Sequence, residues 1–391
     1  MINRKNAPGI SFRRTEFTWL AYLMLGFYSA LQSGLGPIVP FLRDEFNINY
    51  TVAGLHLSAF ALAKVFIGFS GERITQIIGR RFAFWSGGAV MSAGVVFLIT
   101  GTSPHLTILG TFIMGTGGSL LLMMVQATLS DLHGQQRAVA LTESNLIASL
   151  FTTTVPLLIG LSLMLTGNWR PAFIVLILFW ILNFIVQHSI AMPHDRDVSE
   201  VGKWQREKLP GQFWLIWVWL FISVGIEWSI VFWTAEFLVG HVGLEANFAS
   251  TLMSLFFVAM IAARFIASRL TRLYDPGRLL LPAIFILLVG FSLLWQGQAP
   301  VLHFIGLFIC GAGIANLYPL GLSVAANIGE NSINRASARV ALAAGLAIMI
   351  IPQIMGSIGD TIGLFNTFAV IFILICFLLL MTPVIQHRIK D

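Results

Sequence analysis

The sequence predicts an all-α integral membrane protein with twelve transmembrane helices in two pseudo-symmetric six-helix bundles. The first observation behind this prediction is composition, because 57% of the 391 residues are hydrophobic and only 10% are charged. Soluble domains carry about 25% charged residues. The second observation is a series of apolar runs of about 20 residues, the length that a bilayer requires. The third is an internal repeat.

The repeat divides the chain into two halves. Residues 112–117 read Phe-Ile-Met-Gly-Thr-Gly, and residues 308–313 read Phe-Ile-Cys-Gly-Ala-Gly, an offset of 196 (308 minus 112). Further matches at this offset are Arg73 with Arg269, Thr75 with Thr271, Pro156 with Pro352 and Gly160 with Gly356. Several matches in order along the chain indicate a duplicated half rather than chance.

The apolar runs predict twelve spans in order along the chain. They cover residues 17–42, 51–71, 82–101, 106–127, 139–165, 171–191, 212–239, 246–268, 279–297, 300–325, 338–359 and 363–386. Their midpoint falls in a polar segment. We therefore expect a first bundle at 1–191, a cytoplasmic linker at 192–211 and a second bundle at 212–391.

Loop charge predicts the orientation, with both termini in the cytoplasm and the chain crossing the inner (cytoplasmic) membrane many times. Of the 23 Lys and Arg residues, all but Arg43, Arg170 and Lys64 then lie at the cytoplasmic side. Such an excess is the positive-inside pattern. The first apolar run lacks a cleavage site and is expected to stay in the mature chain as a span.

Several classes of protein are excluded by what the sequence lacks. The basic residues sit in short loops and form no basic helix, so we expect no nucleic-acid partner. Cys310 and Cys376 lie in apolar runs without metal-ligand spacing, and we expect no metal and no cofactor. No phosphate-binding Gly-rich loop with Lys and no nucleophile elbow appears, so ATP drive and catalysis are not expected. The protein is predicted not to be an enzyme.

Loop and helix motifs resemble the major facilitator superfamily over nearly the whole chain. The triplet Gly79-Arg80-Arg81 matches the end of that family's loop signature, and Glu72 is the candidate substitute for its altered acidic-basic pair. Asn168-Trp169-Arg170 with Phe173 is similar to another family motif. The resemblance implies alternating access through two rocking bundles, with a gating role for Glu72, Gly79, Arg80 and Arg81.

Two further segments resemble the fucose/glucose-permease-like branch of sugar:proton symporters. They are Gly225-Ile226-Glu227 followed by Trp233, in the seventh span, and Asn316-Leu317-Tyr318 in the tenth. The resemblance implies that the first, fourth, seventh and tenth spans line the cavity. It thereby adds Tyr28 and Gln32 of the first span to the substrate and proton-coupling candidates Glu227, Trp233, Asn316 and Tyr318.

Charged residues inside spans are the sharpest functional candidates, because they are costly in a membrane and usually face a cavity or a partner. Glu227 lies near the membrane midplane, where it either carries a coupling proton or bonds to a neighbouring helix as a structural acid. Lys64 either extends to the cytoplasmic surface, pairs with Glu143 at similar depth, or binds an anionic group of the substrate. For Arg264, gating or loop anchoring is the expected role.

The function expected from these observations is secondary active transport of a small organic solute. The favoured form is proton-coupled symport of a sugar-like or other polar solute, imported through Glu227. The alternative is a proton-coupled exporter of amphipathic drugs or lipids, which the apolar, Met-rich and aromatic helices would suit. The expected partners are the solute, protons and the lipid bilayer, and the expected state is a monomer.

Overall fold

A computed structural model of the chain describes residues 12–192, 209–271, 273–328 and 333–388. Its regular structure in these ranges is helical, as predicted. The helices are α1 Glu16–Ser33, α2 Val39–Phe46, α3 Tyr50–Ile78, α4 Arg80–Thr100, α5 Pro104–His133, α6 Arg137–Thr166, α7 Arg170–Gln187, α8 Gly211–Gly240, α9 Ala246–Leu270, α10 Pro276–Gln296, α11 Pro300–Ile314, α12 Leu317–Ile328, α13 Ile333–Ile362 and α14 Leu364–Arg388. Ten stretches of the described residues are long and apolar enough to cross a membrane.

The predicted spans match these helices, except that the first and tenth are each broken in two. The first becomes α1 and α2, separated by a turn at residues 34–38 that contains Gly34, Gly36 and Pro37. The tenth becomes α11 and α12, separated at Ala315 and Asn316. Gly and Pro cause the first break, and Pro319 contributes to the second because it has no N–H to donate to the Ala315 carbonyl four residues earlier. Hydropathy does not report either break, because the runs stay apolar on average across them.

The helices pack as two halves, α1–α7 and α8–α14, which meet mainly along three helix pairs. These pairs are α3 with α13, α6 with α9, and α2 with α8. The offset of 196 residues carries Tyr50, the first residue of α3, onto Ala246, the first of α9, and Arg137 of α6 onto Ile333 of α13. The two larger interfaces are therefore pseudo-symmetric copies of one arrangement. Most of the predicted linker at 192–211 lies outside the described residues.

The halves are closed against each other at one end, which we call the closed end. There Arg43 of the first half pairs with Glu236 of the second. The Asp360 carboxylate accepts hydrogen bonds from the Tyr50 and Thr51 backbone amides, at 2.7 and 2.9 Å. The N–H groups in the first turn of a helix have no partner within the helix. Asp360 of the second half therefore caps the N-terminus of α3 in the first half.

The opposite end, which we call the open end, contains a cavity between α3, α5 and α13 with a volume of about 690 Å³. Its walls include Gly68 and Phe69 of α3 and Leu342 of α13. Nearer the middle, a Cβ on Gly345 would lie 3.0 Å from Val65. The two helices thus touch along the closed half of their length and separate toward the open end.

The repeated glycines mark close helix crossings, and the two copies make equivalent contacts. A Cβ on Gly115 would collide with the Phe60 carbonyl oxygen, and one on Gly311 would collide with that of Phe256. Phe60 and Phe256 are themselves 196 residues apart (256 minus 60). Small residues let backbones approach in membrane bundles, so the repeated phrase serves packing in both halves.

Candidate functional site

A small cavity lies between the two halves and is lined by three of the candidate residues, Gln32, Glu227 and Arg264. Its volume is about 180 Å³, and its walls come from α1 and α6 of the first half and α8 and α9 of the second. The polar residues of these walls are Ser29, Gln32, Ser33, Asn145, Ser149, Thr152, Glu227 and Arg264, and Trp228 is among the apolar ones. We call this space the central cavity.

Glu227 lies in the middle of α8 and faces the central cavity, where the sequence predicts it. No ion pair or hydrogen bond of its carboxyl to another described residue is present in the structure. Arg264 lines the same cavity. A carboxyl that faces a cavity and has no fixed partner can gain and release a proton.

Lys64 lies in the middle of α3 rather than near a membrane surface. The predicted span ended at residue 71, but α3 continues to Ile78 because residues 72–78 extend the helix beyond the apolar run. The Lys64 ammonium lies 5.9 Å from the centre of the Tyr28 ring and lines the cavity of the open end. The central position favours a cavity role for Lys64 over extension to the surface.

The predicted pairing of Lys64 with Glu143 is wrong. Glu143 accepts two hydrogen bonds from the Arg14 guanidinium, at 2.6 and 2.8 Å, and one from the Tyr22 hydroxyl at 3.1 Å. The pairing was predicted because the two residues lie at similar depth in the membrane. The partner of Glu143 is decided instead by the direction in which its side chain leaves α6. Glu143 faces α1, so it ties α6 to α1 within the first half.

Arg264 lines the central cavity rather than anchoring a loop, and its expected gating role stays a prediction. Its guanidinium donates to the Ser149 hydroxyl at 3.0 Å and to the Ala315 carbonyl oxygen at 3.3 Å. The second acceptor lies at the break between α11 and α12. Arg264 thus bridges α9 to α6 across the interface and also holds the free carbonyl of a broken helix.

Tyr28 and Gln32 carry buried polar atoms without a hydrogen-bond partner among the described residues. These are the Tyr28 hydroxyl and the Gln32 amide nitrogen. Gln32 lines the central cavity, whereas Tyr28 lies beneath Lys64. Buried polar groups are almost always bonded, so an unpaired amide that faces a cavity indicates a site for water or a solute.

The prediction that Trp233 lines the site is wrong, and Trp228 takes this place. Trp233 is fully buried, its indole nitrogen donates to the Pro352 carbonyl oxygen at 2.9 Å, and its ring packs against Tyr50. Trp228, five residues earlier in α8, lines the central cavity. Five residues along a helix turn the side chain to a different face, so the two rings cannot share the cavity.

Asn316 lies in the break between α11 and α12, and Tyr318 lies in the first turn of α12. The Asn316 amide donates to the Ala263 carbonyl oxygen at 3.1 Å, so its role in the structure is to hold the helix break against α9. The Tyr318 hydroxyl group lies in the electrostatic field of both Lys64 and Glu227. Tyr318 thus stays a candidate for the site.

The loop motif residues make contacts within the first half. Gly79 separates α3 from α4 with φ +80°, a conformation that residues with a Cβ rarely adopt. The Arg80 guanidinium pairs with Asp131 at 2.5 Å, and Arg81 donates to the His188 carbonyl oxygen at 2.5 Å. Glu72 accepts a long bond of 3.5 Å from Gln76 on its own helix. Their gating role stays a prediction.

Sequence reasoning missed the polar face of α6 in the central cavity. Asn145, Ser149 and Thr152 line it, and each also bonds to the carbonyl oxygen four residues earlier. Such bonds let Ser, Thr and Asn occur throughout membrane helices. Residue type alone therefore gave no signal, although the spacing of three to four residues places them on one face.

Comparison with known proteins gives one family. The model described as Major Facilitator Superfamily matches residues 18–246. The chain is 24% identical over 382 residues to the glucose/galactose transporter of Brucella abortus, covering 91% of this chain and 90% of that protein. It is 22% identical over 369 residues to the glucose/mannose transporter GlcP of Bacillus subtilis, covering 86% and 88%.

Solved structures share the fold. The D-xylose-proton symporter superposes with a TM-score of 0.75 at 12% identity, covering 94% of this chain and 96% of that one. A bacterial homologue of the human lysosomal transporter Spinster, in an inward-facing conformation, gives 0.73 at 14% identity, covering 97% and 98%. At these identities the likeness shows the arrangement of helices alone.

Proposed function

The chain belongs to the Major Facilitator Superfamily, and we propose that it is a proton-coupled symporter of a small, sugar-like polar solute. As a member of this family it is a multi-pass membrane protein and a secondary active transporter, not an enzyme. The curated relatives that cover most of the chain are named as transporters of glucose, galactose and mannose. These names support a sugar-like solute for this chain.

The observation that carries the proton coupling is the position of Glu227. Its carboxyl faces a cavity between the halves and has no fixed ion pair among the described residues. If the halves rock, the cavity opens to each side in turn. A carboxyl that binds a proton together with the solute on one side and releases both on the other couples the two fluxes.

The experiment compares two transport assays of Glu227→Gln in proteoliposomes. Exchange of labelled for unlabelled solute needs no net proton movement, so we expect the variant to keep it. Accumulation against a gradient, driven by an imposed pH difference, should be lost, because the amide cannot carry the proton. D-glucose is the first solute to test, because the relatives are named as glucose transporters.

The matched control is Glu245→Gln, an exposed acid at the start of α9. We expect this variant to accumulate solute as the unaltered protein does. Full gradient-driven accumulation by Glu227→Gln would contradict the coupling role. Accumulation by the unaltered protein that ignores the pH difference would contradict proton symport as a whole.

A second candidate function is export of amphipathic compounds, and the cavity of the open end favours it. Its walls combine apolar side chains of α3, α5 and α13 with the cations Lys64 and Arg339. Phe69 of this wall is 76% exposed, so the surface could receive an apolar chain. Deletion of the gene followed by drug-sensitivity tests separates the two candidates, since only loss of an exporter raises sensitivity.

Placement in the membrane follows from the same proposal. With both termini cytoplasmic, the closed end faces outward and the open end faces the cytoplasm, so the conformation would be inward-facing. The bacterial relatives support the inner membrane as its location. A monomer is proposed as the functional unit, because the central cavity is built within one chain.

A further inference from the structure

The two cavities carry more positive than negative charge. Among the described residues that line them are three cations, Lys64, Arg264 and Arg339, and one carboxyl, Glu227. Charge within a membrane is costly without a partner, and it usually marks the path of a substrate or an ion. A solute that brings a negative charge would reduce this cost.

The charges nearest the centre interrupt the pseudo-symmetry of the two halves. Each has an uncharged residue at the position 196 away in the other half. The pairs are Lys64 with Met260, Leu31 with Glu227, and Gly68 with Arg264. The scaffold therefore does not require a charge at these positions, since the same helix contacts form with Met, Leu or Gly. The charges are additions to a packing arrangement that works without them.

Both central cations lack a carboxylate partner among the described residues. The Lys64 ammonium lies over the Tyr28 ring, and Arg264 donates to two neutral oxygens, on Ser149 and Ala315. Arg14 and Arg43, by contrast, each contact a carboxylate. Tyr28, on which the Lys64 ammonium lies, is one helical turn before Gln32 on the same face of α1, and Gln32 lines the central cavity together with Arg264 and Glu227. An anionic group placed beside Glu227 would therefore lie in the field of both cations.

We propose that the transported solute is a hydroxylated organic acid, whose carboxylate binds between Lys64 and Arg264. This inference rests on the proposed function and names its substrate class. Gln32, with its unpaired amide nitrogen, and the polar face of α6 supply hydrogen bonds for the hydroxyl groups. A volume of about 180 Å³ limits the solute to a small molecule.

The arrangement also explains why the solute and the proton would bind together. A solute carboxylate near Glu227 repels the ionised form of that side chain and favours the protonated form. By linkage, a protonated Glu227 leaves the two cations uncompensated and strengthens binding of the anion. Each of the two ligands thus promotes binding of the other, which is the requirement for symport.

The experiment uses three probes with one ring scaffold and different charge. D-glucuronate is an anion, D-glucose is neutral and D-glucosamine is a cation near neutral pH. Dissociation constants for the purified full-length protein are measured by calorimetry at one ionic strength. We expect glucuronate to bind at least about tenfold more tightly than glucose, since a hydrogen bond to a charged group is stronger than a neutral one. Glucosamine should bind most weakly.

Variants then assign the preference to the two cations. Lys64→Gln and Arg264→Gln should each lower the ratio of glucuronate affinity to glucose affinity by about tenfold or more. Arg264→Lys keeps the charge and should keep the preference for the acid. The matched control is Arg269→Gln, an exposed cation further along α9, which should alter neither constant.

The outcomes separate this inference from the proposed function. If the unaltered protein binds glucose as tightly as glucuronate or more tightly, the inference is overturned and the proposed neutral-sugar symport remains. This outcome is decided without any variant. A glucuronate preference that survives in both Lys64→Gln and Arg264→Gln also overturns it. If none of the three probes binds or supports exchange in proteoliposomes, the sugar-like solute itself is contradicted, and the inference falls with it.

Discussion

Single side chains of α8 show how one helix serves two purposes. Trp228 and Glu227 face the central cavity, whereas Trp233 is buried against α13 and α3. The sequence showed Glu227 clearly, since a carboxyl in an apolar run is expensive and needs a reason. It could not tell the two tryptophans apart, because both are apolar and their facing depends on the rotation of α8.

The two tryptophans are expected to respond differently to truncation. Trp228→Ala should weaken solute binding, seen as a higher KM, and leave the unfolding temperature nearly unchanged. Trp233→Ala should lower the unfolding temperature strongly, because loss of a buried aromatic side chain costs about 3–5 kcal/mol. Thermal unfolding in detergent and uptake kinetics are the two measurements. A normal KM in Trp228→Ala that retains its stability would exclude this ring from the site.

Charged residues show a similar limit of sequence reasoning. Lys64, Glu143 and Arg264 stand out in the sequence as charges within or near spans, but the predicted pairing of Lys64 with Glu143 rests on depth alone. The structure turns Glu143 toward Arg14 and turns Arg264 toward the cavity. The depth of a residue in the membrane follows from counting residues along its helix. The direction in which its side chain points depends on how the helix is rotated against its neighbours, which the residue type does not indicate.

At the scale of elements, helix existence was predictable and helix continuity was not. The apolar runs located every span, because the bilayer demands length and hydrophobicity. The breaks at residues 34–38 and at residues 315–316 were missed, because the runs that contain them stay apolar on average. These breaks matter for the site, since the carbonyl oxygen of Ala315 is an acceptor for Arg264.

Equivalent crossings in the two halves lead to a paired prediction. Gly115→Ala and Gly311→Ala should each lower stability by about 1–3 kcal/mol, because the added methyl meets a backbone carbonyl that cannot move far. Gly68→Ala is the control, a helical glycine with open space around its Cβ position, and it should be neutral or stabilising. The measurement is the shift of the unfolding temperature. Unchanged stability in both halves would contradict the close crossings.

At the scale of the whole molecule, the two halves are related by pseudo-symmetry and are in contact at the closed end, but they separate around a cavity at the open end. Arg43 with Glu236 and the Asp360 carboxylate with the start of α3 join the halves at the closed end. The sequence indicated the duplication through its constant offset. It could not indicate which end is closed, because that depends on contacts between residues more than a hundred positions apart.

A disulfide across the closed end should hold the protein in this conformation. The Thr51 and Ser357 hydroxyl oxygens lie 3.4 Å apart on α3 and α13. Thr51→Cys with Ser357→Cys, in a chain with Cys310 and Cys376 replaced by Ala, should form a bond on oxidation and stop transport. Reduction should restore transport, and each single variant serves as a control. Full transport by the oxidised double variant would show that the closed end need not open.

The presence of one carboxyl among the charged residues that line the cavities also limits the energetics of the cycle. If Glu227 carries the proton, at most one proton crosses with each solute molecule. For a neutral sugar, that step moves one positive charge, so the membrane voltage would drive uptake as well as the pH difference. For a singly charged acid, the step is electroneutral, and the pH difference alone would set how far the cell can concentrate it.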